Sequence, residues 1–166
     1  MNSRCSGDGI ADNGIIEKIL SDISVVQRKK MAEELYIFIS YFVGGVSFRL
    51  TSDSYITSYA PNTNNGLRLL VHELCHGFSN EKAREVYRNA CNSDGYLNRV
   101  NWFLNEFLCH PGDEEEFVQA IDHAIAVKNG LETYDEAMKV FESWYLCRVP
   151  IAIILFEELH KLREIP

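Results

Sequence analysis

Apolar residues recur at helical spacing through most of this chain, and near the end of its first third they alternate instead. From Gly14 to Leu35, "GIIEKILSDISVVQRKKMAEEL" sets Ile15, Ile16, Ile19, Leu20 and Ile23 on one face, then a charged patch, then Met31 and Leu35. One or two N-terminal helices are expected. The next stretch, "YIFISYFVGGVSFRL", is almost unbroken hydrocarbon at its start, so periodicity does not decide it. It reads as a helix to about Val43 closed by Gly44, in preference to two strands joined at Gly44-Gly45. Beyond it Val46, Phe48 and Leu50 alternate with Ser47, Arg49 and Thr51, and "SYITSYA" is rich in Tyr, Ile and Thr. Both are expected to be strands, with "PNTNNG" as the following turn.

Helical spacing returns at once. A helix starting near Asn64 or Asn65, either of which can cap exposed amides, carries Leu67, Leu69, Leu70, Val71 and Leu74 and should end at Gly77. "LNRVNWFLNEFLCH" keeps Leu97, Val100, Phe103, Leu104, Phe107 and Leu108 at helical spacing up to Pro111. "GDEEEFVQAIDHAIAVKNG" has an acidic first turn, in which Glu114, Glu115 and Glu116 read as a solvated helix start, and Gly130 as its stop. Two more helical segments flank Pro150. The expected class is α+β and predominantly helical, with a small sheet followed by the 65–77 helix and a C-terminal helical part.

Composition narrows the picture without changing it. The 166 residues suit a single domain, 1–166, and 46% apolar with 24% charged residues is ordinary for a globular core. A net charge of -8 would repel a phosphate backbone, so no nucleic-acid partner is expected. No run approaches the roughly 18 apolar residues of a membrane span, and "MNSRCSGDGIADNG" has no apolar signal core. The expectation is a chain that neither spans nor binds membrane, acting in the cytoplasm or exported without an ordinary signal peptide. Its five cysteines, Cys5, Cys75, Cys91, Cys109 and Cys147, lack C-x-x-C spacing, which argues against a disulfide framework or a thiolate zinc cluster.

Within the 65–77 helix lies His72-Glu73-Leu74-Cys75-His76, which matches the H-E-x-x-H pattern. With only 5 histidines in the chain, chance supplies such a match in roughly one chain in a hundred. Residues four apart differ by about 400° of rotation, so His72 and His76 sit one turn above each other and can reach one ion. Glu73 lies beside them, placed to contact a water on that ion. Cys75 points about 100° away. A catalytic zinc takes three protein ligands and leaves a fourth position open, so a further ligand must come from elsewhere.

At this motif the chain resembles the zincin metallopeptidases. The resemblance implies a zincin-like fold in which "SDSYITSYA" is the edge strand that holds an extended peptide or protein substrate. It also implies a Zn2+ cofactor, and hydrolysis with Glu73 as general base. Ser79 and Lys82 stand where the metzincin branch needs Gly and His, which excludes that branch. The gluzincin branch takes its third ligand from a downstream helix, often as N-E, and Asn105-Glu106 supplies that pair, so the resemblance implies Glu106 as ligand. Asp94 is the alternative, similar to the aspzincin aspartate. Tyr96 resembles a gluzincin tyrosine that steadies the oxyanion, and His110 or His160 is a further candidate for that role. His110 stands where the best-known gluzincins have an Asp that orients a motif histidine.

A plainer reading stays open. Leu69, Leu70, Val71 and Leu74 make a core helix with or without zinc, His72 and His76 can be buried rings bonded to backbone, and the chain can be an inactive or helical module that binds a protein partner. Zinc analysis of wild type against His72→Ala discriminates the two.

Overall fold

The computed structural model describes residues 13–31, 33–40, 47–58, 65–96, 98, 99, 102, 113–143 and 150–162. Nine elements are described in chain order. They are α1 (Asn13–Gln27), β1 (Tyr36–Ser40), β2 (Ser47–Arg49), β3 (Ser54–Ser58), α2 (Asn65–Gly77), α3 (Glu81–Ser93), α4 (Asp113–Lys128), α5 (Tyr134–Ser143) and α6 (Pro150–Lys161). The class is α+β with a mostly helical chain. No described helix is long and apolar enough to cross a membrane.

Two expectations about the sheet are corrected. The 36–43 stretch does not begin as a helix: Tyr36–Ser40 is a strand, paired in parallel with β3 in the register Phe38↔Ile56. An apolar run of this length carries no periodic signal, and the sheet supplied the pairing that local sequence left open. Nor is β3 an edge strand. The order is β1-β3-β2, with β2 antiparallel to β3, so both sides of β3 are paired and the edges fall to β1 and β2. Alternation then works as the side-chain period of two requires: Tyr55 and Thr57 are buried toward the helices, while Phe38 and Phe48, both in register with Ile56, stand half-exposed on the other face.

Helix α2 lies between this sheet and α4. Its sheet-facing side is closely fitted. Tyr55 crosses α2 at Gly77, where an added Cβ would meet the Tyr55 hydroxyl at 2.0 Å. Glycine is required there because the phenol occupies the place of a side chain. Thr57 Oγ1 donates to the Gly66 carbonyl at 3.1 Å and ties the start of α2 to the same strand.

Helix α4 is central, touching α1, α2, α3, α5 and α6. On one side Phe117, Val118, Ile121 and Ile125 join Ile19 and Ile23 of α1 and Leu70, Val71 and Leu74 of α2. On the other side Ala120, Ala124 and Val127 meet Phe141 of α5 and Phe156 of α6. Each fully buried Leu, Ile or Phe contributes about 1.5–3 kcal/mol relative to exposure. Residues 116–127 are all buried, so every polar group on this helix needs a protein partner. The helix ends as expected: Gly130 has φ +70, and Leu131 N donates to Ala126 O at 2.9 Å in the left-handed closing motif.

Helix α3 was not expected, because Tyr87 and Cys91 are its only buried residues and its apolar pattern is thin. Local capping accounts for it: Asn80 Oδ1 accepts from Ala83 N at 3.1 Å, and Glu81 occupies the first turn. At the other end of the chain's N-terminal part, α1 is a single helix, and Met31 and Leu35 lie outside any helix. The 97–110 helix expectation falls largely outside the described residues.

Candidate metal centre

Helices α2 and α4 run antiparallel, and beside their apolar contacts they face each other with a ladder of charge. On α2, Arg68, His72 and His76 fall at intervals of four and so share one stripe. On α4, Glu115 and Asp122 are seven residues apart, two turns along one face. The two stripes meet rung by rung.

Glu115 sits between the histidines. His72 Nε2 is 3.1 Å from Glu115 Oε1, and His76 Nε2 is 3.0 Å from Glu115 Oε2. The imidazole centroids are 4.8 Å apart in a T-shaped arrangement, so both Nε2 atoms converge on one carboxylate. Gln119, one turn further along α4, donates to Glu115 Oε1 at 3.2 Å and holds it in place. Each histidine is backed from its other nitrogen by a second carboxylate. His72 Nδ1 bonds Asp122 Oδ2, and His76 Nδ1 lies 3.5 Å from Glu114 Oε1.

Both backing carboxylates are in turn held by arginines. Arg68 Nη2 is 3.0 Å from Asp122 Oδ1, while its Nε is 3.3 Å from Glu132 Oε2. Glu132 also accepts from His123 Nδ1 at 2.6 Å, which leaves His123 Nε2 to accept from Arg68 Nη2 at 2.8 Å. On the outer side, Arg84 of α3 pairs with Glu114 at 2.6 Å. Asp122 is fully buried, whereas Glu114 is nearly half exposed.

The charges do not balance. Glu114, Glu115, Asp122 and Glu132 are four carboxylates on the ladder, against the two guanidiniums of Arg68 and Arg84. Without a metal the imidazoles make up the difference by holding protons. Burial alone would lower the His72 pKa, but hydrogen bonds to Asp122 and Glu115 and their charges outweigh it and raise it to about 10. Burial opposes His76 too, yet Glu115 raises it. Glu115, although burial pushes its pKa up, is held well below the usual carboxylate range by its bonds to both histidines. Asp122 is likewise pushed up by burial and brought down by Arg68.

This surplus of negative charge suits a divalent cation. The donor set is two imidazoles and a carboxylate, a combination that catalytic zinc uses. Zinc bonds of about 2.0–2.1 Å put tetrahedral donors about 3.3 Å apart. The His72–Glu115 and His76–Glu115 spacings are near that value, and all three donor atoms lie within 4.8 Å of one another. The carboxylate-backed Nδ1 atoms hold the rings with Nε2 turned inward, the usual support for histidine ligands.

Among the expected residues, His72 and His76 are brought together and Glu73 lies beside them on α2, half-buried and free of hydrogen bonds and ion pairs among the described residues. Glu106 and His110 lie outside the described residues. Asp94 ends α3, accepting from Tyr96 N at 2.8 Å, and does not converge with the histidines. Tyr96 is 70% exposed. His160 packs against Tyr134 and Phe156 at the far side of the α4 core.

The reading of residues 114–116 as a solvated start is corrected, because α2 and α3 cover it. Glu115 lies between the imidazoles, and Glu116 is buried with Tyr87 Oη donating to it at 3.3 Å. Sequence reasoning missed Glu115, Asp122 and Arg68. A signal for Asp122 was present: an Asp-His pair inside the apolar run "AIDHAIAV" is costly unless partnered. Cys75 and Cys91 are buried cysteines that form no disulfide among the described residues, and burial raises the Cys75 pKa well above its ordinary value. No protein-family model, curated protein or solved structure matches this chain.

Proposed function

We propose that His72, His76 and Glu115 hold a zinc ion, and that the chain is a small zincin-like metallopeptidase acting on peptide or protein substrates. The observation that carries this reading is the convergence of both motif Nε2 atoms on one carboxylate, with each Nδ1 facing another. Zinc bound there would polarise a scissile carbonyl and make a water acidic enough to lose its proton near neutral pH.

The protein's own groups would do the rest. Glu73, one residue after His72 and without a hydrogen-bond or ion-pair partner among the described residues, would accept the proton of the attacking water and return it to the leaving amine. Glu115 would complete the ligand set and offset the ion's charge. Asp122 and Glu114 would fix the imidazole tautomers. The test is a pair of variants of the full chain. His72→Ala should lose zinc, while Glu73→Gln should keep zinc and lose peptide cleavage by a factor of about 10²–10⁴. Cleavage by Glu73→Gln at the wild-type rate contradicts the catalytic part.

A second reading is favoured by one specific observation. Every motif imidazole nitrogen already faces a carboxylate, so protonated histidines can complete the ladder without metal. The chain would then be an inactive, helical interaction module. Equal zinc in wild type and His72→Ala supports this second reading.

A further inference from the structure

Arg68 lies one turn before His72 on α2, and its guanidinium bridges groups from two places: Asp122 on α4 and Glu132 in the turn beyond α4. The side chain is mostly buried and Asp122 wholly so. Such a buried pair is costly to desolvate, and well-packed hydrocarbon often replaces it without loss of stability. Stability alone gives no reason to keep it. The pair's other effect is geometric: with Oδ1 drawn to Arg68, Asp122 presents Oδ2 to His72 Nδ1. Nε2 of the same ring is thereby turned to Glu115.

The same arrangement recurs at the outer histidine. Arg84 holds Glu114 at 2.6 Å, and Glu114 faces His76 Nδ1 at 3.5 Å. This outer relay is longer and more exposed. Water competes for both of its contacts, so it constrains its ring less.

We propose that Arg68 is a positioning residue of the zinc centre, setting metal affinity and ligand geometry by fixing the Asp122 carboxylate that orients His72, with Arg84 and Glu114 as a weaker counterpart at His76. The inference rests on the zinc reading of His72, His76 and Glu115. Arg68 itself touches neither the metal position nor a substrate. Its effect passes through two hydrogen-bonding groups, and removing partners of this kind typically costs 10–100-fold in metal affinity.

The experiment uses the purified full chain, with zinc affinity measured by competition against a chromophoric chelator and ligand geometry read from the visible spectrum of the cobalt(II)-loaded protein. Arg68→Met should weaken zinc binding 10–100-fold and alter the cobalt spectrum. Arg68→Lys should fall between it and wild type, because a single ammonium cannot span Asp122 and Glu132 as the planar guanidinium does. Arg84→Met should change affinity by no more than about threefold. Should Arg68→Met fail to fold, Arg68→Lys carries the test with an expected loss of at least about threefold and a shifted spectrum. A purely structural role would lower the melting temperature and leave the affinity and spectrum of the folded fraction unchanged. Folded Arg68 variants with wild-type affinity and spectrum overturn the inference and leave the zinc site standing. A wild-type chain that binds neither ion overturns both.

Discussion

At the α2–α4 seam this protein buries charge, and across the outer face of its sheet it exposes hydrocarbon. Asp122 is fully buried in the middle of the central helix, while Phe38 and Phe48 are about half exposed at 53% and 51%. The usual sorting of polarity is reversed in both places, but the consequences differ. Exposed apolar side chains cost little, because much of any protein surface is apolar. Buried ionised groups are costly to desolvate and survive only with partners, which the seam supplies for each of them. The seam is therefore where the sequence accepts an energetic cost, and a site of chemistry is a sufficient reason for it.

The comparison predicts a steep gradient of sensitivity. The largest effect is expected for Asp122→Ala, which leaves Arg68 buried with half of its compensation removed. Urea unfolding of the metal-free protein should show a loss of about 3–5 kcal/mol. A loss below about 1 kcal/mol would mean that the seam is as forgiving as the sheet.

Next in size is the pH dependence of the metal-free protein. His72 has a folded pKa raised to about 10, against about 6.5 unfolded. Its contribution is therefore complete below about pH 6.5 and is lost as pH rises toward 10. Glu115 and Asp122 have depressed values, so theirs is present above the ordinary carboxylate range and is lost as pH falls through the folded values. Melting temperature should peak between these limits and decline on the alkaline side. Zinc should reverse that decline, since ligand histidines must be deprotonated, and the zinc-induced rise in melting temperature should grow from pH 6.5 to 10. A metal-free melting temperature that stays flat over this window contradicts the charge ladder.

Smaller again is the joint between the two regions. Gly77→Ala forces the Tyr55 hydroxyl out of the space its Cβ would need. The expected cost in urea unfolding is about 1–3 kcal/mol. At the small end, Phe48→Ser on the outer sheet face should change stability by no more than about 0.5 kcal/mol. A larger effect there would mean that the face is covered in the folded protein.

How far these regions could be read from sequence follows the same division. Helix α2 was legible from Asn65 to Gly77, because its leucines and histidines obey a local period. β2 and β3 were legible for a similar reason. β1 was not: its strand conformation is set by pairing with β3, from which β2 separates it in sequence, a non-local fact. Glu115 was hidden because an acid in the first turn of a helix is what the helix dipole favours in any case, and its histidine partner lies 39 positions away (115 minus 76). The ladder becomes visible only when α2 and α4 are set antiparallel. Even so, Asp122 stands within an apolar helical run, where a carboxylate is costly unless partnered, and that signal could be read from the sequence.

The most direct test of the account is the zinc content, after exhaustive dialysis, of the wild-type chain and of Glu115→Gln, each checked for folding by circular dichroism. The account predicts about one tightly held zinc ion per wild-type chain and a large loss in the variant. Equal zinc in two folded proteins, or none in the wild type after incubation with zinc, would contradict it.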